Sequence, residues 1–491
     1  MSSELDAPSL GQRAAKGAAW TVVAQVAVNV LRLVGNLVSA RFLDADAYGL
    51  MAIVITINTG LIMVSDVGIE QGVIYDKEGD KPIFLRTAYS LQVVRGLMLY
   101  GTALLLTYPT AWFYTDGRYL SLIPVVSLQC LFAGFISMKF AWNKRRVRSM
   151  RELALLEIGA QLSATIMVAV LAYLYRSVWA LAFGAFAYAF MRMALTHVLL
   201  DGPKDGFAWD RPSIVRIVNY GRWIFVSTFI TFFSLRYDVF ALGKLETIGT
   251  LGLYNMALML TSMLNTIGFQ VSQTVIFPAL SEASRTGSPE VMHRTFQRSQ
   301  RVVLPIALWA ITGLTYLGPA FFYYLYRSRF DDAGWMLQYQ IGFVWFVFLT
   351  DSWVRALMAV NDNRSMAIAN LVRLVVAVAV GNLAHQYFGL IGFILAMGFA
   401  SLCAHVWVHI ALYRHGFNAW RPDLMYTLIA IPLLALGILG PRAISAATGI
   451  SAMPISIVLS VIVGVPFTAG LFFYLRRNIE SARHAVIPVE A

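Results

Sequence analysis

Charge is scarce in this sequence. Of 491 residues, 13% are Asp, Glu, Lys or Arg and 58% are hydrophobic, whereas a soluble domain carries about a quarter charged residues. That shortage excludes a water-solvated globular fold and leaves a polytopic membrane protein. Acids are scarcer than bases, 26 against 38, for a net charge of +12. In a membrane chain such an excess first reports orientation, and no nucleic-acid partner is expected. The two cysteines, Cys130 and Cys403, lie in apolar runs, which argues against disulfide or thiol chemistry. No phosphate-cradling GxxxxGK[ST] loop occurs, so ATP hydrolysis of the P-loop kind is excluded and no cofactor is expected. The polar stretch before Ala18 has no apolar core, so no cleaved signal peptide is expected. Outer connections are all short, leaving no room for an extramembrane catalytic domain.

What the chain does contain is apolar runs of bilayer length. Fourteen are read, at 18–40, 47–65, 84–106, 119–139, 152–174, 177–199, 219–241, 250–273, 301–325, 334–359, 365–387, 389–412, 424–444 and 453–475. The thirteenth is interrupted by Pro432 and Pro441. Outer loops hold only Arg41, Arg118, Arg176, Lys244, Arg327, Arg329 and Arg442. The segments on the opposite side hold 25 of the 38 bases, most densely at 139–151, 204–222 and 281–301. The positive-inside rule then places both termini in the cytoplasm.

The halves echo each other. Trp20, Arg32 and Gly49 match Trp223, Arg236 and Gly252 at a nearly constant offset. QGVIY at 71–75 matches QTVIF at 273–277, RTAYSLQVV at 86–94 matches RTFQRSQRVV at 294–303, and RSM at 148–150 recurs at 364–366. Six spans per half in the same orientation make parallel repeats about an axis along the membrane normal, as in several transporter folds. The expected domains are an N-lobe at 1–218, a C-lobe at 219–412, and two added spans with a tail at 413–491. The fold class is all-α, with about fourteen transmembrane helices.

Polar residues at membrane depth must face protein or water. Gln25, Asn29, Arg32 and Asn36 form one stripe of the first span. Gln92, Arg95 and Thr102 share a face of the third, Glu157, Gln161 and Thr165 of the fifth, and Asn255, Ser262, Thr266 and Gln273 of the eighth. Asn370 and Arg373 are neighbours in the eleventh. Arg32, Arg95, Arg236 and Arg373 together would make a cationic track that wants an anion. The opposing reading is internal pairing, with Asp238 near Arg236, Asp351 four residues before Arg355, and Glu157 bridged to an arginine such as Arg373. Glu157, then Asp238 and Asp351, are the carboxylates available for ion coupling. Arg192 and Arg355, near cytoplasmic helix ends, can snorkel to the interface. Asp66 and Glu70 read as helix-end residues in water. His405 and His409 have a metal-binding spacing, but no third ligand is evident nearby and no metal is expected. Asp331 and Asp332 read as a loop-to-helix cap.

GAAWTVVAQV, SARFLDADAYGLMAIVITI and SDVGIEQGVIYDK, with LGKLETIGTLGLYNMALML and VIFPALSEAS in the second half, resemble bacterial Wzx-type polysaccharide flippases of the multidrug/oligosaccharidyl-lipid/polysaccharide exporter superfamily. That resemblance implies two six-helix lobes forming a V, plus two extra helices, in the bacterial inner membrane. It implies a transporter and not an enzyme, moving an undecaprenyl-diphosphate-linked oligosaccharide to the periplasmic leaflet for surface or exopolysaccharide synthesis. Polysaccharide polymerase and chain-length machinery are the implied partners. Arg32 and Arg236 are the positions the resemblance assigns to the diphosphate, and Arg95 and Arg373 join them from the polar stripes. Phe229, Phe232 and Tyr237 could stack on sugars. Rival readings are a peptidoglycan-precursor lipid flippase, a cation-coupled drug exporter, or, from another class, a membrane polymerase or glycosyltransferase.

Overall fold

The computed structural model describes residues 10–65, 68–146, 150–271, 280, 289–326, 328–417, 420–449 and 452–484. Asp66, Gln273, Arg327 and both the 148–149 and 273–277 parts of the repeat lie outside the described residues, as does part of the basic segment 281–301. Among the described residues all regular structure is helical. Among the described residues, ten helices are long and apolar enough to cross a bilayer, or eleven if one bent pair counts as a span. The chain is a multi-pass, all-α membrane protein.

Packing divides it into two compact units, Met1–Gly252 and Leu253–Ala491. The first holds α1 (Leu10–Ala40), α2 (Ala45–Val64), α3 (Ile69–Tyr75), α4 (Pro82–Tyr114), α5 (Tyr119–Val126), α6 (Leu128–Gly134) and α7 (Lys139–Arg145). It continues with α8 (Met150–Tyr175), α9 (Trp179–Val198), α10 (Arg211–Leu245) and the first turn of α11 (Ile248–Val271). Here α1 packs on α8, α8 on α9, α4 on α6, and α10 on α2 and α4. The seventh expected span, α10, opens the second repeat in sequence yet packs within the first unit. By packing, the two units meet at Gly252. The second unit contains α12 (Pro289–Leu325), α13 (Asp331–Ala359), α14 (Asn363–Arg414), α15 (Trp420–Thr448) and α16 (Ala452–His484).

Among the described residues, length and hydropathy give fewer than fourteen separate spans. Spans eleven and twelve are joined end to end in α14, whose Gly389 adopts φ 60°, ψ −151°, a conformation open essentially to glycine alone. That kink separates two membrane-length arms. Asn255, Ser262, Asn265 and Thr266 lower the hydropathy of α11. The thirteenth span is not broken: α15 runs through both Pro432 and Pro441. Proline is tolerated in membrane helices when the freed carbonyls find other donors, and Gln338 Nε2 supplies one to Gly437 O at 3.1 Å.

The fourth span does break, turning by 55° before α7. Gln92 Nε2 lies 3.1 Å from Ala133 O, 3.3 Å from Gly134 O and 2.8 Å from Ile136 O, meeting the carbonyls the break leaves open. The reach is possible because α4 and α6 touch at two glycines: a Cβ on Gly96 would stand 2.7 Å from the Gly134 Cα.

The basic loops are partly neutralised. Lys144 pairs with Glu70 at 2.8 Å, Arg146 with Asp80 at 3.1 Å, and Arg216 with Glu78 at 2.6 Å. Hydrogen bonds from Arg216, then Lys81, hold the Glu78 carboxyl below its usual range. Arg145 Nη1 caps α3 through the carbonyls of Val73, Ile74 and Asp76.

Candidate functional site

In α1, Gln25 Nε2 donates to Asn29 Oδ1 at 3.3 Å, and Asn29 is buried. The helix seats on α8, where Thr165 Oγ1 donates to Leu31 O at 3.1 Å and Gly35 faces the Thr165 side chain. Asn36 lends its carbonyl to Ser39 Oγ at 3.2 Å. Arg32 is exposed and makes no ion pair among the described residues, although its charge reaches Tyr188 on α9. Three members of this stripe thus serve packing, and one is a presented cation.

Glu157 does not pair with Arg373. Its Oε1 accepts from Arg192 Nε at 2.9 Å and its Oε2 from the Tyr188 hydroxyl at 2.9 Å, so α9 supplies both partners. Sequence reasoning set Arg192 aside as an interfacial residue. The signal was available, because Tyr188 and Arg192 stand four apart on one face of α9. The side chains are about a quarter exposed. Arg192→Ala should therefore destabilise the protein by roughly 1–3 kcal/mol, between the values of surface and fully buried pairs. Melting in detergent checks this. Adding Glu157→Gln should restore part of the loss, whereas strictly additive losses would show that the pair is uncoupled.

Arg95 lies on the wall between two cavities. Its Nη2 donates to Ile62 O at 2.7 Å and its Nε to Ser65 Oγ at 3.0 Å. A cation is thereby seated at the C-terminal end of α2, where open carbonyls and the helix dipole favour it. One cavity, of about 210 Å³, is polar and includes Gln71, Gln92, Arg95 and Arg192 in its lining.

The other cavity, of about 800 Å³, is apolar and runs between α2, α4 and α10. Along α4 it follows Leu91, Arg95, Met98, Thr102, Leu106, Pro109 and Phe113 among others. These residues recur every three or four positions and so mark one helix face. From Leu91 to Tyr114 that face is about 35 Å long at 1.5 Å per residue, close to the roughly 30 Å hydrocarbon core of a bilayer. A groove with these walls can hold an alkyl or prenyl chain, with the Arg95 guanidinium toward one end.

On α10, Phe229 and Phe232 line the groove but Tyr237 does not. Phe232 is buried against Gly60, where a Cβ would meet its ring at 2.5 Å, so it packs. Arg236 is half-buried and makes no ion pair with Asp238 or any other described acid. Asp238 is buried and accepts from the Val239 N–H at 2.9 Å. Neither Arg32 nor Arg236 lines either of these two cavities.

In the second unit Arg373 is buried, and its charge and that of Arg355 both act on Asp351. Arg355 is buried too, not at an interface, with Nη1 3.2 Å from Met358 Sδ. Asp331 and Asp332 occupy the first turn of α13, where carboxylates favour the helix dipole. His405 and His409 acquire a partner invisible in their own span, Asp423 of α15.

Residues 38–333 match the family described as "Polysaccharide biosynthesis protein". A curated relative, the lipopolysaccharide biosynthesis protein WzxC of Escherichia coli (strain K12), is 23% identical over 335 residues, 67% of this chain and 66% of the relative. The match thus spans about two thirds of the relative's length. Among solved structures, the lipid II flippase MurJ in an inward closed conformation superposes with a TM-score of 0.66 at 13% identity, covering 92% of this chain and 99% of that one. An inward-facing multidrug-resistance MATE family transporter of the MOP superfamily gives 0.58 at 12% identity, covering 84% and 98%. At such identities the likeness establishes a shared fold.

Proposed function

Because the chain belongs to the polysaccharide biosynthesis protein family, we propose that it is an inner-membrane flippase for an undecaprenyl-diphosphate-linked oligosaccharide. It carries this lipid from the cytoplasmic to the periplasmic leaflet by alternating access of lobes at 1–218 and 219–412, with both termini in the cytoplasm. The observation that carries the reading is the apolar groove along α4 with a guanidinium toward one end. Its length suits a prenyl chain lying across the bilayer, and with the N-terminus in the cytoplasm the Arg95 end faces the leaflet where the lipid is loaded.

A diphosphate carries about two negative charges and several acceptor oxygens, which a guanidinium can clasp in bidentate fashion. Arg95 receives the head at the groove. Arg32 and Arg236, which pair with no carboxylate among the described residues, take it onward while the glycan passes through water. Low-dielectric walls strengthen each of these contacts relative to bulk water. Deleting the gene should accumulate the lipid-linked oligosaccharide on the cytoplasmic face and abolish the surface polymer. A deletion strain with normal polymer would reject the reading.

A further inference from the structure

We propose that His405, His409 and Asp423 form a binding site for a divalent transition-metal ion of the zinc class. The site fastens α15 to α14, and it is independent of the transport reading. His405 and His409 stand one turn apart on the last arm of α14, and Asp423 lies in the first turn of α15. Their side chains meet at one point. His409 Nε2 is 2.8 Å from Asp423 Oδ2, His405 Nε2 is 3.2 Å from that same oxygen, and the two nitrogens are 3.1 Å apart. Ligands held tetrahedrally at zinc distances of about 2.05 Å are about 3.3 Å from one another, so the three atoms already describe one face of such a shell. All three residues are buried, at 4%, 1% and 3% exposure.

A single proton does not satisfy all three contacts. If both rings carry hydrogen on Nε2, two N–H groups confront each other at 3.1 Å. If both carry it on Nδ1, two lone pairs face each other and a carboxylate oxygen with no proton among them. One proton on His409 Nε2 can be shared by Asp423 Oδ2 and His405 Nε2, but it leaves the His405 lone pair facing that oxygen at 3.2 Å. Both Nδ1 atoms are buried without a hydrogen-bond partner among the described residues, so the rings are not aimed through that side. Their direction is set by what the Nε2 atoms share, and a cation satisfies both nitrogens and the oxygen at once.

The carboxylate is fixed from behind, as metal ligands are. Gln300 Nε2 of α12 donates to Oδ1 at 3.2 Å, and Trp353 Nε1 of α13 donates to Oδ2. The His409 ring stacks on Trp420 at 4.3 Å. Two imidazoles and a carboxylate suit Zn²⁺ and its neighbours and offer little to Na⁺ or Mg²⁺. With three protein ligands, a fourth position is left for water. The site clasps a helix outside the sequence duplication.

The test uses the full chain purified without a histidine tag, stripped with chelator, and titrated with Zn²⁺ and Co²⁺. We expect one equivalent of Zn²⁺ bound, visible d–d bands when Co²⁺ enters, and a rise in melting temperature with Zn²⁺. His405→Gln and Asp423→Asn should each lose the Co²⁺ bands and the Zn²⁺-dependent rise, while Na⁺ changes neither in the wild type. Wild-type protein without Co²⁺ bands or a Zn²⁺-dependent rise overturns the proposal and leaves a proton-only cluster. So do variants that fold and still bind the ion with unchanged spectra. Because the wild-type titration decides alone, a variant that fails to fold does not rescue the claim.

Discussion

Gly49→Ala is expected to cut polymer export at least tenfold while leaving the amount of protein in the membrane unchanged. A Cβ on Gly49 would stand 1.9 Å from the Ile248 carbonyl oxygen, and one on Gly252 would stand 1.9 Å from that of Ala45. Neither obstacle is a side chain that could rotate away, so the α2 and α11 backbones would have to separate by more than an ångström. The contacts are also reciprocal. The offset that pairs Gly49 with Gly252 in sequence pairs Ala45 with Ile248, so each glycine meets the counterpart of the residue its partner meets. Two-fold related surfaces behave in this way. Forcing bulk into a tight contact costs roughly 1–3 kcal/mol. If this crossing exists in only one state of a transport cycle, that cost shifts the populations by about five- to 150-fold. Export assayed in a deletion strain carrying each variant checks the prediction. Full export by both Gly49→Ala and Gly252→Ala would show that the crossing is not needed for turnover.

Arg95→Ala should have the second large effect, through two separable routes. It removes the donor that meets Ile62 O at the end of α2, and it removes the cation from the wall of the groove. Ser65→Ala isolates part of the first route, since it deletes the hydroxyl that Arg95 Nε holds and leaves the charge in place. That variant should melt lower by about 1 kcal/mol of stability and export normally per molecule. Arg95→Ala should melt lower and lose export at least tenfold. Arg95→Lys keeps a point charge without the bidentate fork and should fall between. Export is read from surface polymer normalised to protein in the membrane. Equal losses of export in Ser65→Ala and Arg95→Ala would assign Arg95 a purely structural role.

Much of this architecture is legible in the sequence because the bilayer imposes it. Apolar runs bounded by charge became helices, and the stripe of Gln25, Asn29, Arg32 and Asn36 lies on one helix as its spacing requires. What stayed hidden depends on partners distant along the chain. Gln92 shares a stripe with Arg95, yet it turns to carbonyls of the broken fourth span, and nothing local in α4 announces that break. The partners of Glu157 lie on the next helix, where a positively charged residue near a helix end reads more simply as an interfacial anchor. Asp423 follows a loop beyond the twelfth span, so the histidine pair looks incomplete until α15 folds back. Pro432 and Pro441 read as interruptions because proline breaks helices in water, whereas in α15 Gln338 from α13 meets the Gly437 carbonyl that Pro441 frees.

The central claim is that this chain moves a polyprenyl-diphosphate-linked sugar across a membrane with Arg95 receiving its head. Purified protein in vesicles containing a fluorescent undecaprenyl-diphosphate oligosaccharide, quenched from outside by a membrane-impermeant reductant, tests it most directly. The account predicts that the inner-leaflet pool becomes accessible at least tenfold faster than in protein-free vesicles, and that Arg95→Ala returns the rate most of the way to that background. A wild-type rate equal to that of empty vesicles, or an Arg95→Ala rate equal to wild type, would contradict it.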